Sequence, residues 1–234
     1  MRSPEFPGQA AEAARYALLR RLAPALKHDL VVHLQSVTMM SEVVGARLER
    51  EAGLPPQLRE QVSRLHHLAR DAVASSLRVT HWLTPPDDEG VPLPEGISQT
   101  LDLIRNPLGF RGFALTQRIE GQPLEVARTQ LQPVLAAAIL HLSDLAPPPR
   151  TIAIDAHADH DQAHVQVRLC DPPPGAQEAG LATAAVDTGY RILQASDLQA
   201  LGEASGLVLL QEGESVTLTI SRWETTAPLG IAPR

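Results

Sequence analysis

The sequence is poor in aromatic residues and lysine. Aromatic residues make up 3% of the 234 residues, which leaves few side chains for stacking on nucleic-acid bases. The formal net charge is −7 and Lys27 is the single lysine, so a surface that binds a polyanion is not expected. We therefore predict no nucleic-acid partner.

Cysteine and long apolar runs are scarce as well. Cys170 is the only cysteine, which excludes an internal disulfide and a cysteine-rich zinc site and suits a reducing compartment. No run of about 18 apolar residues, the length that spans a bilayer, is present. The N-terminus lacks the basic-then-apolar pattern of a secretory signal. We expect a cytoplasmic protein with no membrane partner, and we exclude the proline-bearing residues 1–8 from the predicted fold.

The N-terminal part of the chain has the spacing of an amphipathic helix. Its apolar stripe recurs at steps close to multiples of about 3.6 residues: Leu22, Leu26, Leu30, Leu34, Val37, Val44 and Leu48. The pattern predicts a helix from about Ala10 to Ala52, interrupted or kinked near Pro24, and a second helix ending at about Trp82. Two helices joined by a short connection form an antiparallel hairpin, which cannot enclose a core alone. A homodimer with a four-helix bundle is therefore predicted.

A polar, proline-bearing segment at 84–90 marks a predicted domain boundary. Beyond it the pattern predicts, in order, helix 97–108, strand 113–119, helix 127–145, strands 151–155 and 164–170, helix 192–204, and strands 207–211 and 215–221. The predicted fold class is α+β. It consists of the helical hairpin at 10–83, a linker at 84–94, and an α/β sandwich at 95–224 in which helices cover one face of a mostly antiparallel sheet.

A basic, histidine, acidic, apolar run occupies residues 27–30 of the first helix. At about 100° per residue, His28 lies about 200° from both Leu26 and Leu30 on the apolar stripe. His28 is therefore predicted to point outward, with the carboxylate of Asp29 beside it.

The outward face around His28 is unusually apolar. One turn further along the helix lie Val31 and Val32, followed by Gln35 and Met39. An exposed apolar patch of this kind is typical of a docking surface for a partner. The local pattern also fits a surface histidine beside valines that pack on a neighbouring helix.

The order of these elements resembles that of bacterial sensor histidine kinases, in which a dimerisation and phosphoacceptor hairpin precedes an ATPase-type domain. The resemblance covers about Tyr16 to Trp223. Residues 28–30 resemble the start of the family's His-Glu/Asp-Leu box. The departures are Val32, where asparagine or threonine is usual, and His33, where proline is usual.

The nucleotide-binding motifs of that family are eroded in this sequence. Residues 131–144 resemble the helix that carries the family's magnesium-binding asparagine, but His141 stands at the asparagine position. Asp171 fits the adenine-reading aspartate of an Asp-x-Gly-x-Gly box, of which only Gly175 remains, and the second glycine-rich box is reduced to Gly189. The changes remove a hard oxygen ligand for Mg²⁺ and glycines that let backbone amides approach phosphate. The resemblance therefore implies that ATP chemistry is lost and that no cofactor is bound.

A phosphoacceptor beside a degenerate ATPase-like domain resembles the kinase-derived histidine phosphotransferases of bacterial phosphorelays. The resemblance implies that His28 carries a phosphoryl group between response-regulator receiver domains, with Mg²⁺ supplied by the receiver. Asp29 would orient the ring or accept its proton, and Lys27 would steer an acidic receiver surface. Two other functions stay open: an ATP-dependent sensor histidine kinase with divergent nucleotide boxes, and a non-catalytic dimeric adaptor for receivers.

The remaining histidines and acidic clusters have structural interpretations. His33 is predicted to be a half-buried packing residue, His66 and His67 to lie on the surface, and His141 to cap or pack within the former nucleotide pocket. The run 155–161 combines carboxylates and imidazoles but falls at a predicted hairpin turn, where such residues are expected for backbone reasons. No metal site is predicted.

Overall fold

The computed structural model describes residues 8–48, 56–83, 89–172 and 191–224. Contacts divide the chain into two compact units. The hairpin unit is Leu22–Pro85, and the α/β unit combines Met1–Arg21 with Pro86–Arg234. Helix α1, Gln9–Leu48, therefore contributes its first turns to the α/β unit and the remainder to the hairpin unit.

The hairpin unit contains most of α1 together with helix α2, Pro56–Leu83. The predicted interruption of α1 is absent, because the helix runs through Pro24. Leu22 and Leu26 are buried as the stripe predicts, but Leu34 is 49% exposed. The prediction for Leu34 was wrong because each step of four residues rotates the position by about 40°, so three such steps carry it off the stripe.

The α/β unit supplies the rest of an α+β fold. Its helices are α3 (Leu93–Phe110), α4 (Arg128–Leu145) and α5 (Ala195–Ala204), and its strands are β1 (Gly90–Pro92), β2 (Phe113–Gly121), β3 (Glu125–Ala127), β4 (Arg150–Ala158), β5 (Gln162–Cys170), β6 (Val208–Glu212) and β7 (Ser215–Ser221). The main sheet has the order β2-β4-β5-β7-β6. Only the β2–β4 pair is parallel in it, which confirms the predicted mostly antiparallel sheet.

One face of this sheet forms the core with the helices. Alternate residues such as Ile152 and Ile154 on β4 and Val165 on β5 are buried, while the residues between them are exposed or half-buried. This period of two is what a sheet with one covered face requires. Helix α4 lies deepest, since every residue from Val134 to Ser143 is buried. Among the described residues, no helix combines the length and apolar character needed to cross a membrane.

A second sheet, of β1 and β3, was not predicted. Each strand has three residues, and β1 falls within the segment assigned to the linker. Trp223 contacts this small sheet, because its backbone N–H donates a hydrogen bond to the carbonyl of Glu125 on β3 at 2.8 Å. Gly90 has no room for a side chain, because a Cβ there would lie 2.3 Å from the Trp223 ring. Such short strands depend on distant partners rather than on a local pattern.

Candidate functional site

Helix α1 presents His28 on the outer side of the hairpin unit. The His28 side chain is 70% exposed, and its Nδ1 lies 3.5 Å from Oδ1 of Asp29, whose own side chain is 41% exposed. This distance is at the long limit for a hydrogen bond. If Nδ1 carries the proton that faces Asp29, the lone pair of the neutral ring is on Nε2. The arrangement can present a nucleophilic nitrogen to an incoming partner.

The four residues predicted to flank His28 share its face of α1. At about 100° per residue, Gln35 and Met39 lie within about 20° of His28, Val32 within about 40° and Val31 within about 60°. Val31, Val32 and Met39 are 37%, 42% and 61% exposed. We call these four residues together with His28 the His28 face. Its apolar side chains are open to contact with a partner.

A groove runs along α1 next to His28. Its lining consists of Val31, Leu34, Gln35, Thr38, Met39 and Glu42. Leu34, expected on the buried stripe, thus adds apolar surface to the outside. The formal charges near the groove lie at its two ends, with Lys27 and Asp29 on either side of His28 at one end and Glu42 at the other. The groove is suited to an apolar partner surface.

The other histidines of the hairpin unit are arranged differently. His33 is half-buried on the inner side of α1, whereas His66 and His67 are exposed on α2, as their spacing predicts. Of the hairpin-unit histidines whose side chains the structure describes, His28 is the one that combines exposure, a contact with a carboxylate and exposed apolar neighbours.

His141 is buried in the C-terminal part of α4. Its side chain is 5% exposed in a packed environment. Nδ1 donates to the carbonyl of Leu193 at 2.7 Å, and Nε2 accepts from the amide of Gln211 at 3.0 Å. With these partners, Nδ1 carries a proton, because a carbonyl oxygen can only accept a hydrogen bond. His141 therefore joins α4 to β6 and to the segment before α5, with both ring nitrogens already engaged.

The N-terminus of α5 is capped by the carboxylate of Asp197, a residue of the same helix. Asp197 accepts a hydrogen bond from the backbone N–H of Gln194 at 2.8 Å and two from the guanidinium of Arg191, both at 2.8 Å. Burial raises the pKa of Asp197, but the hydrogen bonds from Arg191 and Gln194 outweigh it and hold the pKa below its ordinary value. A helix N-terminus is where a phosphate would bind, and here an anion already stands there.

Neither Arg191 nor Asp197 is among the functional positions predicted from the sequence. A signal for Asp197 was present, because it lies three residues after Gln194 and an acid at that spacing is typical of a capping box. Nothing local indicated the bidentate contact from Arg191.

The other predicted nucleotide positions are not assembled into a pocket within the described residues. The Asp171 side chain is 95% exposed and lies 3.9 Å from Nε of Arg150. Gly175 and Gly189 lie outside the described residues. Of the four predicted nucleotide positions, the structure therefore describes two: His141, which is buried and hydrogen-bonded, and Asp171, which is exposed.

The acidic and histidine-rich run 155–161 divides between strand β4 and the turn that follows it. Asp159 accepts from the backbone N–H groups of Asp161 and Gln162, both at 2.9 Å, and these bonds lower its pKa. Asp155 pairs with Arg168 on the neighbouring strand. No three histidine, cysteine or acidic side chains within the described ranges form a group able to hold a metal ion.

A buried ionic node at the end of α4 was not predicted from the sequence. The Asp144 carboxylate accepts two hydrogen bonds from Arg21, at 2.6 and 2.9 Å, and one from Arg111 at 2.9 Å. The side chains of Arg21 and Asp144 are 5% and 7% exposed. The node ties the first turns of α1 to α4 within the α/β unit. Arg21 and Asp144 are 123 positions apart, so no local motif could indicate it.

No protein-family model matches this sequence, and no curated protein does either. The solved structures that resemble it include the catalytic domain of the histidine kinase ThkA, with 16% identity, a TM-score of 0.43, and coverage of 58% of this chain and 95% of that one. A histidine kinase from Burkholderia phymatum STM815 has 16% identity, a TM-score of 0.41 and coverage of 86% and 97%. A bacterial phosphotransferase has 13% identity, a TM-score of 0.38 and coverage of 88% and 95%. These identities and TM-scores are too low to carry a site or an activity over to this chain.

Proposed function

We propose that this chain is a histidine phosphotransferase of a two-component phosphorelay, and that it passes a phosphoryl group between response-regulator receiver domains through His28. The observation that carries the proposal is the setting of His28, which is 70% exposed, 3.5 Å from a carboxylate of Asp29 and surrounded by exposed apolar side chains. The resemblance of residues 28–30 to a phosphoacceptor box supports the same assignment.

In the proposed reaction, the neutral imidazole of His28 attacks the phosphorus of an aspartyl phosphate on the receiver. A nitrogen–phosphorus bond forms in line with the phosphorus–oxygen bond that breaks, and the receiver's aspartate departs as a carboxylate. Asp29 faces Nδ1 and stabilises the positive charge that develops on the ring. Mg²⁺ belongs to the receiver's acidic pocket in this proposal, and the chain supplies no cofactor. The reverse reaction loads a second receiver.

Receiver docking is assigned to the His28 face. Val31, Val32 and Met39 offer apolar contact, Gln35 offers hydrogen bonds, and Lys27 attracts an acidic rim on the receiver. An apolar centre with charge at its edge is the usual composition of a specific protein interface.

A homodimer forms part of this proposal. In a single chain the inner side of the hairpin unit is only half-covered at Leu30, Val37 and Met40, and Val62 and Val73 on α2 are 49% and 59% exposed. A second hairpin unit would cover such surface in a four-helix bundle. The proposal also places the protein in the cytoplasm, because it must be in the same compartment as the receiver domains.

The proposal assigns the phosphoryl group to a receiver rather than to ATP. Two observations support this choice. Both ring nitrogens of His141 are engaged by protein groups, and the positive end of α5 is occupied by Asp197. A nucleotide phosphate at α5 would meet the negative charge of Asp197, which already accepts the backbone N–H of Gln194.

Transfer assays with a panel of the organism's receiver domains test the proposal. Each receiver is labelled with acetyl [³²P]phosphate, mixed with the full chain, and separated by electrophoresis. We expect label on the wild-type chain and none on His28→Gln. Label from [γ-³²P]ATP on His28 would instead establish a kinase. Receiver binding that His28→Ala leaves unchanged, without label on the chain, would establish an adaptor.

A further inference from the structure

We propose that the open face of the five-stranded sheet carries a two-histidine site for a divalent transition-metal ion. His157 on β4 and His164 on β5 are direct partners in the antiparallel register. Their neighbours Ala156, Ala158 and Val165 are buried, so both imidazoles lie on the opposite, uncovered face. Directly opposed residues place their Cβ atoms about 4.5–5.5 Å apart, a spacing from which two imidazoles can reach one ion.

One of the two rings has a hydrogen-bond partner that restrains its orientation. Nδ1 of His164 lies 3.1 Å from the hydroxyl of Thr219, its partner on β7. When Nδ1 carries the proton, it donates a hydrogen bond to the Thr219 hydroxyl, and Nε2 of His164 keeps a free lone pair. Metal-binding histidines have this arrangement, in which an outer hydrogen bond sets the tautomer and the ring direction. His157 is exposed and free to turn toward the same point.

The surroundings define the kind of ion and the strength of binding. Imidazole nitrogens suit Zn²⁺, Ni²⁺ and Cu²⁺ rather than Mg²⁺ or Ca²⁺, and Cu²⁺ binds tightest of the three. Glu120 is the register partner of His157 on β2, but Arg118 pairs with it at 2.6 Å. The described residues offer no third histidine, cysteine or acidic ligand at this point. Water therefore completes the coordination in this two-ligand site.

Copper binding to the full chain tests the inference. We expect titration calorimetry to show one Cu²⁺ site, and the electron paramagnetic resonance spectrum to show coupling to two imidazole nitrogens. His157→Gln and His164→Gln should each weaken binding about 10²-fold, because the second imidazole otherwise binds as an intramolecular event. His160→Gln, in the adjacent turn, and His66→Gln, on α2, are the matched controls and should bind like wild type.

The variants also separate this site from a fold defect. His157 and His164 lie on an uncovered face, so their glutamine variants should keep the wild-type circular dichroism and melting temperature. Binding that survives both substitutions, or that falls equally in His160→Gln, would overturn the inference. A spectrum with one nitrogen in the wild type would do the same.

Discussion

Replacing Asp144 with alanine removes the single carboxylate on which Arg21 and Arg111 converge. Its oxygens accept three hydrogen bonds at 2.6–2.9 Å, and the side chain is 7% exposed. The substitution leaves the guanidinium of Arg21, which is 5% exposed, without its partner in a buried position. The free-energy cost therefore includes an uncompensated buried charge as well as the lost hydrogen bonds.

The expected size of the effect follows from this burial. Breaking a buried ion pair by removing one partner costs about 3–5 kcal/mol. The exposed pair of Arg118 and Glu120 provides the scale for comparison, because such a pair contributes at most about 1 kcal/mol. With a urea m-value of about 2 kcal/mol per molar, Asp144→Ala should lower the unfolding midpoint by about 2 M, and Arg118→Ala by less than about 0.5 M.

Urea unfolding followed by circular dichroism measures both midpoints. The double variant Arg21→Met with Asp144→Leu removes the more buried of the two cations together with the carboxylate and leaves Arg111, which is 25% exposed and still bonds Ser143. It should recover most of the loss, since hydrophobic replacements of buried pairs are often neutral or stabilising. A midpoint shift for Asp144→Ala no larger than that of Arg118→Ala would show that the buried carboxylate contributes no more than an exposed ion pair. A double variant that is less stable than Asp144→Ala alone would show that the cost does not come from an uncompensated buried charge.

Three further substitutions probe the other elements of the account. Met39→Asp on the His28 face should weaken receiver binding about tenfold or more by calorimetry, whereas Val208→Asp, at a position 69% exposed on β6, should not change it. Asp197 has a lowered pKa when folded, so its contribution is present above the unfolded pKa of about 3.9 and is lost as the pH falls through the folded pKa. Melting temperatures of Asp197→Asn should thus lie below wild type at pH 7 and converge with it in acid; a constant difference would contradict this. His141→Leu leaves the carbonyl of Leu193 and the amide of Gln211 without their hydrogen-bond partner, so it should lower the free energy of unfolding in urea by about 1–3 kcal/mol. An unchanged midpoint would show that both groups find other partners.

Long periodic segments were predictable because their patterns come from local geometry. The hairpin helices and strands β4, β5 and β7 bury one face each, and that face repeats at the helical or strand period. Predicted strand 215–221 matches β7 residue for residue, and predicted helix 127–145 begins one residue before α4. The outward position of His28 follows from the same spacing.

Features that depend on distant partners were not predictable. The two short strands β1 and β3 are held by their hydrogen bonds to each other and by the bond from Trp223 to Glu125. The node at Asp144 joins residues that are far apart in the chain. Leu34 was mispredicted for another reason. Successive steps of four residues each rotate the position by about 40°, so an apolar residue at this spacing no longer lies on the buried stripe. Arg191 and Asp197 lie near each other in sequence, but no sequence pattern indicates that the guanidinium and the carboxylate make a bidentate contact.

The most direct test of phosphoryl relay through His28 is ³¹P NMR of the full chain mixed with a phosphorylated receiver. Relay through His28 should give a phosphohistidine resonance that appears in the wild type, is absent in His28→Gln, and disappears when a second, unphosphorylated receiver is added. A resonance that persists in His28→Gln, or a wild-type chain that stays unphosphorylated with every receiver that binds it, would contradict the account.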